Sequence, residues 1–177
     1  MRKKVSSTTG NRDSKSNIVL IGMPGAGKST IGVLLAKQTS RDFLDTDVLI
    51  QTYENRSLQD IIDTEGYLVL RQIEERVLLT LDCRNHVIAT GGSAAYSDPA
   101  MTHLKENGIT LFLEVGFEEI QRRVTNYDTR GIARRPDQSF KDLFDERMVL
   151  YRKYADITID CADKNHEEII TDICREL

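Results

Sequence analysis

The sequence is short of cysteine and of long hydrophobic runs, and both shortages exclude classes of protein. Its three cysteines, Cys83, Cys161 and Cys174, are too few and too widely spaced for a disulfide framework or a zinc site. No apolar run approaches the roughly 20 residues that a membrane-spanning helix needs. The first residues also lack the apolar stretch of a secretory signal. We therefore expect a cytoplasmic protein with reduced thiols and no membrane partner.

The length and charge of the chain indicate one acidic domain with a basic tail. The 177 residues are the size of a single domain and are enough to bury a sizeable core. Residues 1–16 hold five basic residues against one acidic residue, whereas the rest of the chain holds 19 against 27. The tail is too polar to bury apolar surface, so we predict that 1–16 is disordered and that 17–177 forms one domain. The acidic body argues against a nucleic-acid partner, and the small size favours a monomer.

Short apolar runs alternate with helical patterns along the chain after Asn17. This alternation predicts an α/β fold, in which helices cover both faces of a parallel sheet. The predicted strands cover 18–21, 43–44, 87–90, 110–115 and 156–159, and the predicted helices cover 28–39, 47–54, 57–64, about 65–83, about 98–107, 117–125, about 139–154 and 166–176. Ligands of such sheets bind beyond the carboxyl ends of the strands. Three of those ends carry residues suited to chemistry, at 22–29, 45–47 and 91–93.

The first of these ends matches a phosphate-binding loop. Residues 22–29 read GMPGAGKS and fit the pattern G-x-x-x-x-G-K-[ST], after a predicted strand and before a predicted helix. Glycines let backbone amides turn inward around phosphate oxygens, and the helix N-terminus adds its dipole. The Lys28 ammonium would neutralise the β- and γ-phosphates, and the Ser29 hydroxyl would ligate Mg²⁺.

Two aspartates, Asp45 and Asp47, follow the second predicted strand. One carboxylate could hold a water of the Mg²⁺ shell, and the other could accept the proton of a substrate hydroxyl as a general base. The alternative is that Asp47 only caps the next helix. The neighbouring phosphate loop favours the catalytic interpretation.

Two arginines on predicted helices are candidates for binding an anionic substrate. The planar guanidinium of Arg71 suits a carboxylate, although Arg71 could instead form an ion pair with Glu74 or Glu75 on the same helix. Arg147 could be a second anion clamp or a surface partner of an acidic neighbour. The sequence alone leaves these alternatives open.

Two further segments are candidates for closing the site. Gly91 and Gly92 would let a substrate or the γ-phosphate approach the backbone closely, although they could also form a simple turn. The polar loop at 126–138 is long enough to move, and Arg130 in it could close over phosphates and stabilise transition-state charge. A solvated basic loop is the alternative.

With these parts in order, the chain resembles the shikimate kinases over about 17–177. The matching stretches are IGMPGAGKSTIG, FLDTD, RSLQDIIDTEG, LRQIEE, ATGG, the Arg130 loop and DERMVLYRKYAD. The resemblance implies a three-layer P-loop NTPase fold with a five-stranded parallel sheet, a substrate-binding segment at about 46–75 and a lid at about 126–138. It also implies an ATP- and Mg²⁺-dependent kinase that phosphorylates the 3-hydroxyl of shikimate.

The resemblance also implies a role for each matching residue. Asp47 would be the general base, Asp45 would lie in the outer shell of the metal, and Arg130 would be the lid arginine. The residues implied to hold ATP and Mg²⁺ are Gly25, Ala26, Gly27, Lys28, Ser29 and Thr30, with Arg130. Those implied to hold shikimate are Asp47, Arg71, Gly91, Gly92, Ser93 and Arg147.

The chain departs from the family's pattern where acceptor fit and lid closure would be set. Ser93 stands where the family has a third glycine, and residues 130–133 read Arg-Gly-Ile-Ala where the family has Arg-Pro-Leu-Leu. Two alternatives therefore stay open. One is a kinase that acts on another small hydroxy acid or polyol, and the other is a nucleotide-binding regulatory protein without turnover. The intact phosphate loop and aspartates argue against the second.

Overall fold

The computed structural model describes residues 15–125, 127 and 130–177, and its centre is a sheet of five parallel strands. The strands are β1 (Asn17–Ile21), β2 (Asp42–Asp45), β3 (His86–Ala89), β4 (Gly108–Glu114) and β5 (Ile157–Asp160). Their spatial order is β2-β3-β1-β4-β5, and all four pairings are parallel. Strands β2 and β3 therefore lie on one side of β1, and β4 and β5 lie on the other. This reversal of strand order creates the crevice where such sheets bind ligands. The predicted five-stranded parallel sheet is confirmed.

Eight α-helices and one 3-10 helix are present in the part of the chain that the structure describes. They are α1 (Lys28–Thr39), α2 (Thr46–Glu54), α3 (Leu58–Glu65), α4 (Tyr67–Leu79), α5 (Asp98–Asn107), α6 (Phe117–Arg123), α7 (Phe140–Tyr154), α8 (His166–Glu176) and the 3-10 helix Ala94–Tyr96. The predicted helix at about 65–83 is wrong at both ends. Its start is Tyr67, because Gly66 has φ +91° and separates α3 from α4. Its end is Leu79, where the Thr80 hydroxyl donates to the Val77 carbonyl at 2.7 Å.

Helices cover both faces of the sheet, as the alternation predicts. Helix α1 contacts β2, β3 and α8, whereas α5 contacts β4 and α4. Every residue of β1 is buried, which is typical of a parallel strand covered on both faces. The main hydrophobic core lies along this strand and its neighbours.

A second, smaller apolar core lies beside the carboxyl ends of the strands. It joins α2, α3 and α4 to the end of the predicted lid. Its buried members are Ile50, Ile61, Leu70, Ile73, Val77 and Ala133. Ala133 is 2% exposed, so the lid is anchored there on the predicted substrate-binding segment.

Parts of two predicted segments lie outside the described residues. These parts are 1–14 of the predicted tail and 126, 128 and 129 of the predicted lid. At the end of the tail, the Ser16 carbonyl accepts a hydrogen bond from Arg41 Nε at 3.2 Å, and its hydroxyl oxygen accepts one from the Asn85 amide at 3.2 Å. No helix of the described chain is long and apolar enough to cross a membrane.

Candidate active site

A cavity of about 360 Å³ lies at the carboxyl ends of β1, β2 and β3, where the sheet topology predicts a ligand. The predicted site residues that line it are Gly25, Gly27, Lys28, Ser29, Thr30, Asp47, Gly91, Gly92, Ser93, Arg130 and Arg147. Three other predicted residues lie just outside the lining: Ala26 is buried in the phosphate loop, Asp45 lies behind Ser29, and Arg71 lines an adjacent cavity. The structure therefore brings together residues more than 100 positions apart in the sequence.

The phosphate loop joins β1 to α1 and holds its lysine in place without a nucleotide. The Lys28 ammonium donates to the Gly22 carbonyl at 2.8 Å and to the Met23 carbonyl at 3.0 Å. Gly27 precedes α1 with φ +94°, a conformation that glycine adopts without strain. Burial lowers the pKa of Lys28 to about 8, although the negative charge of Asp47 opposes this shift.

Ser29 and Asp45 form an oxygen pair that suits Mg²⁺ next to this loop. The Ser29 hydroxyl donates to Asp45 Oδ2 at 2.6 Å. No group of three or more His, Cys, Asp or Glu side chains in the described chain could hold a metal. Mg²⁺ usually takes one or two protein oxygens and fills its shell with water and phosphate, so this sparse pair fits the ion.

Asp45, and not Asp47, caps helix α2. Its Oδ1 accepts from the Asp47 amide at 3.0 Å and from the Val48 amide at 3.3 Å. The alternative in which Asp47 serves only as a cap is therefore wrong. Asp47 lies in the first turn of α2 and faces the cavity.

Asp47 lies next to a second buried carboxyl, Glu74 of α4, which the sequence analysis missed. A Cβ on Gly91 would collide with both Asp47 Oδ1 and Glu74 Oε1, so the two oxygens converge on this glycine. Burial raises the pKa of Glu74 to about 7, and the charge of Asp47 adds to the shift. Burial also raises the pKa of Asp47, against the positive charge of Lys28.

A signal for Glu74 exists in the sequence. It lies four residues after Leu70 and between Ile73 and Val77, on the face of α4 that is buried. A carboxyl on an apolar helix face is rare unless it has a partner or a function.

The glycine turn after β3 is crowded by the protein's own side chains. A Cβ on Gly92 would lie 2.6 Å from Arg147 Nη1 and 2.8 Å from Pro24 Cδ. A side chain at either glycine would therefore collide with its neighbours, while the backbone of the turn lines the cavity. Ser93 donates a hydrogen bond from its hydroxyl to Glu74 Oε2, which ties the turn to α4.

Arg147 is a buried cation, not a surface residue. It is 1% exposed, and its Nη2 donates to the Ala133 carbonyl at 2.8 Å. Its Nε and Nη1 are buried and have no hydrogen-bond partner among the described residues. The alternative of a surface ion pair with an acidic neighbour on α7 is wrong. A buried guanidinium with free donors suits a bound anion.

Arg71 joins Arg147 at the same carbonyl. Its Nη2 donates to the Ala133 carbonyl at 3.3 Å, and its guanidinium carbon lies 3.5 Å from the centre of the Tyr96 ring. Within the described chain, Arg71 forms no ion pair with Glu74 or Glu75. Burial lowers the pKa of Arg71, and its buried Nε lacks a partner among the described atoms.

Residues 130–133 of the predicted lid line the cavity. Arg130 is exposed and lines the cavity, and its positive charge acts on Asp47. The Gly131 amide donates to Gln59 Oε1 at 2.8 Å, which fastens the lid to α3.

A second cavity, of about 510 Å³, lies beyond β4 and β5 and was missed by the sequence analysis. Its lining comes from the start of α6 and from residues 162–164 after β5. Arg123 lines both cavities and donates to the Gly25 carbonyl at 3.4 Å, so the second cavity adjoins the phosphate loop. The sequence signal was the position of both segments at carboxyl ends of predicted strands.

Comparisons with known proteins identify relatives of this chain. The family model for shikimate kinase matches residues 24–177. A shikimate kinase from Rippkaea orientalis is 38% identical over 161 residues, which cover 89% of this chain and 85% of that protein. The structure of a shikimate kinase from Acinetobacter baumannii in complex with shikimate has a TM-score of 0.84 at 31% identity, over 92% of this chain and 93% of that one. The shikimate kinase structure from Aquifex aeolicus has a TM-score of 0.78 at 34% identity, over 90% and 94%. The chain therefore belongs to the shikimate kinase family and is a phosphotransferase that acts on an alcohol group.

Proposed function

We propose that the protein transfers the γ-phosphoryl group of ATP to the 3-hydroxyl of shikimate. The observation that carries the choice of acceptor is Arg147, a buried guanidinium with two unpartnered nitrogens beside the cavity that also holds Lys28 and Asp47. A carboxylate on the acceptor would meet those donors and neutralise the charge. A neutral polyol would offer these donors no anionic partner.

The nucleotide would lie across the two cavities. The phosphates would meet the backbone amides of Gly25, Ala26 and Gly27, the Lys28 ammonium and the start of α1, including Thr30. The adenine base of ATP would lie in the second cavity beside Arg123, because that cavity adjoins the phosphate loop. Arg130 would reach the transferring phosphoryl group from the lid.

Ser29 and Asp45 would hold Mg²⁺, Ser29 directly and Asp45 through a water. When bound, the ion would neutralise phosphate charge. In the structure without ligands, the hydrogen bond of 2.6 Å between Ser29 and Asp45 keeps the two oxygens together.

The acceptor would lie between Asp47 and the two arginines. Its carboxylate would bind Arg147 and Arg71, and the turn of Gly91, Gly92 and Ser93 would contact its ring. The hydroxyl oxygen would form a bond to the γ-phosphorus while the bond from that phosphorus to the β,γ-bridging oxygen breaks. The hydroxyl proton would go to the Asp47 carboxylate, and ADP would leave with the bridging oxygen.

The test is ADP release from Mg·ATP by the purified protein, with and without shikimate. We expect shikimate-dependent turnover with kcat/KM of about 10⁴ M⁻¹s⁻¹ or more, an ordinary value for an enzyme. A rate that is independent of shikimate but rises with another hydroxy acid would contradict the assigned acceptor.

Asp47→Asn tests the assigned base in the same assay. We expect kcat to fall by about 10²- to 10⁴-fold while the nucleotide still binds, because only the proton acceptor is lost. The control is Asp82→Asn, a change at an exposed aspartate, which should leave kcat unchanged. An unchanged kcat in Asp47→Asn would remove Asp47 from the role of base.

We further propose that the protein works in the cytoplasm as a monomer, with no nucleic-acid or membrane partner. Cys83, Cys161 and Cys174 are free thiols, which suits a reducing compartment. The net charge of −4 disfavours binding to nucleic acid.

A further inference from the structure

The ring of Tyr96 lies against Arg71 and Arg147, the two arginines that we propose to bind the acceptor. The Arg71 guanidinium carbon is 3.5 Å from the ring centre, and that of Arg147 is 5.6 Å away. Tyr96 ends the 3-10 helix that follows the glycine turn. The two cations share one carbonyl, that of Ala133, which cannot neutralise them. The electron-rich face of an aromatic ring stabilises a neighbouring cation.

The hydroxyl of Tyr96 fixes the ring in this position. It donates to Glu146 Oε1 at 2.5 Å. The other oxygen of Glu146 accepts from Gln138 Nε2 at 2.9 Å and from Arg135 Nη1 at 3.2 Å. Both partners lie in the described part of the predicted lid. The ring is therefore held from α7 and from the lid side at once.

Contact with the ring leaves the N–H groups at the edge of the guanidinium free. A guanidinium that rests on a ring uses its flat face, and its N–H groups stay in the plane at the edge. One edge nitrogen of Arg71 already donates to Ala133, and Nε is unpartnered. This geometry presents an edge to a carboxylate in a fixed orientation.

We propose that Tyr96 is a positioning residue for the acceptor: its ring orients Arg71, and with it Arg147, so that their free N–H groups meet the acceptor carboxylate. The inference rests on the proposed function, because it takes the acceptor to be shikimate. Tyr96 itself touches neither the nucleotide loop nor Asp47 in the arrangement described above. Its removal should weaken acceptor binding and spare the rest of the reaction.

Two variants of the full-length protein separate the ring from its hydroxyl. Tyr96→Leu removes the ring, and we expect KM for shikimate to rise by about 10- to 30-fold, the range that a desolvated cation–ring contact can account for. Tyr96→Phe loses the hydrogen bond to Glu146 but keeps the ring against both guanidinium groups, so it should raise KM for shikimate clearly less than Tyr96→Leu does. KM for ATP should stay unchanged in both, and kcat should change much less than KM for shikimate.

Tyr154→Phe is the matched control. Its hydroxyl donates to the Asp98 carboxylate at 2.6 Å, a bond of the same type outside the cavities. We expect no change in either KM for this variant. Thermal melting of all three variants shows which of them are folded.

The outcomes separate the two proposals. A wild-type protein without shikimate-dependent turnover would overturn the proposed function and this inference with it. A wild-type protein with turnover and a Tyr96→Leu variant with normal KM for shikimate would overturn the inference alone. Equal increases in KM for shikimate and for ATP would also overturn it, since they indicate a structural role.

Discussion

The half of the cavity that we propose to bind the nucleotide (the nucleotide half) and the half that we propose to bind the acceptor (the acceptor half) differ in how their polar groups are hydrogen-bonded. In the nucleotide half, Lys28 donates to two backbone carbonyls and Ser29 donates to Asp45. In the acceptor half, Arg71 and Arg147 share the carbonyl of Ala133 and keep three buried nitrogens unpartnered among the described residues. Lys28 and Ser29 are therefore hydrogen-bonded within the protein, whereas the two arginines keep buried donors that suit a bound anion.

The difference follows from how each half is assembled. The phosphate loop consists of eight consecutive residues, so its own backbone can satisfy its side chains. The acceptor half is built from α4, the turn after β3, the lid and α7, and its charges meet only in the folded chain. Each unpartnered buried donor costs about 1 to 3 kcal/mol, and a bound carboxylate would recover part of that cost. The acceptor half therefore carries the larger part of the ligand-dependent stabilisation.

The largest expected effect is in the nucleotide half. Lys28→Ala should lower kcat by about 1000-fold, because the charge that neutralises the transferring phosphoryl group is lost. Steady-state ADP release measures it. Lys37→Ala, an exposed lysine on the same helix, is the control and should behave like the wild type. Near-normal turnover in Lys28→Ala would show that the loop does not act on the phosphates.

The next effect concerns Glu74, which lies between the two halves. Its pKa is raised from 4.5 to about 7 in the folded protein. Between pH 4.5 and 7 the unfolded chain therefore loses this proton while the folded protein keeps it, and stability falls as the pH rises. The free energy of unfolding should fall by about 3 kcal/mol more in the wild type than in Glu74→Gln across this window.

Chemical denaturation of the ligand-free protein at several pH values tests this prediction. Glu75→Gln, the neighbouring residue on α4, is the control and should keep the wild-type pH dependence. If Glu74→Gln also kept the wild-type pH dependence, the Glu74 carboxyl would be ionised over the whole range in the folded protein. The prediction of a protonated Glu74 between the two halves would then be wrong.

The smallest expected effect is in the acceptor half. Arg147→Met should raise KM for shikimate by about 10- to 100-fold with KM for ATP unchanged, because one of two cations that face the carboxylate is lost. Arg152→Met, on the exposed side of the same helix, pairs with Glu114 and is the control. An increase in KM for ATP alone would contradict the assignment of Arg147 to the acceptor half.

Helices whose bounds are set by residues next to them in the chain could be predicted from the sequence. Helices α1, α5 and α8 have the predicted bounds, since the phosphate loop, Ser97 and Asn165 mark their starts. The phosphate-loop residues surround the cavity as expected, because a loop between a strand and a helix has little freedom in where it lies.

Features that depend on distant neighbours could not be predicted. The sequence left Arg147 open between the surface and a site, and only the packing of α7 against the turn after β3 buries it. Tyr96 gave no signal, since its partners Arg71 and Glu146 lie 25 and 50 residues away. At the end of α4 the Thr80 hydroxyl and amide both donate to the Val77 carbonyl, a local arrangement that a periodic pattern does not reveal.

Asp45 contributes both to the stability of α2 and to the proposed Mg²⁺ site. One of its oxygens caps α2, the helix that carries Asp47, and the other accepts from Ser29 in the phosphate loop. Losing a cap of this kind costs about 1 kcal/mol of stability. A mutation at Asp45 would therefore lower both the stability and the activity of the protein. A second, stabilising mutation at another position would restore the stability alone, so cells that depend on the enzyme would still not grow. Suppressors of Asp45 alleles should be found at Asp45 itself.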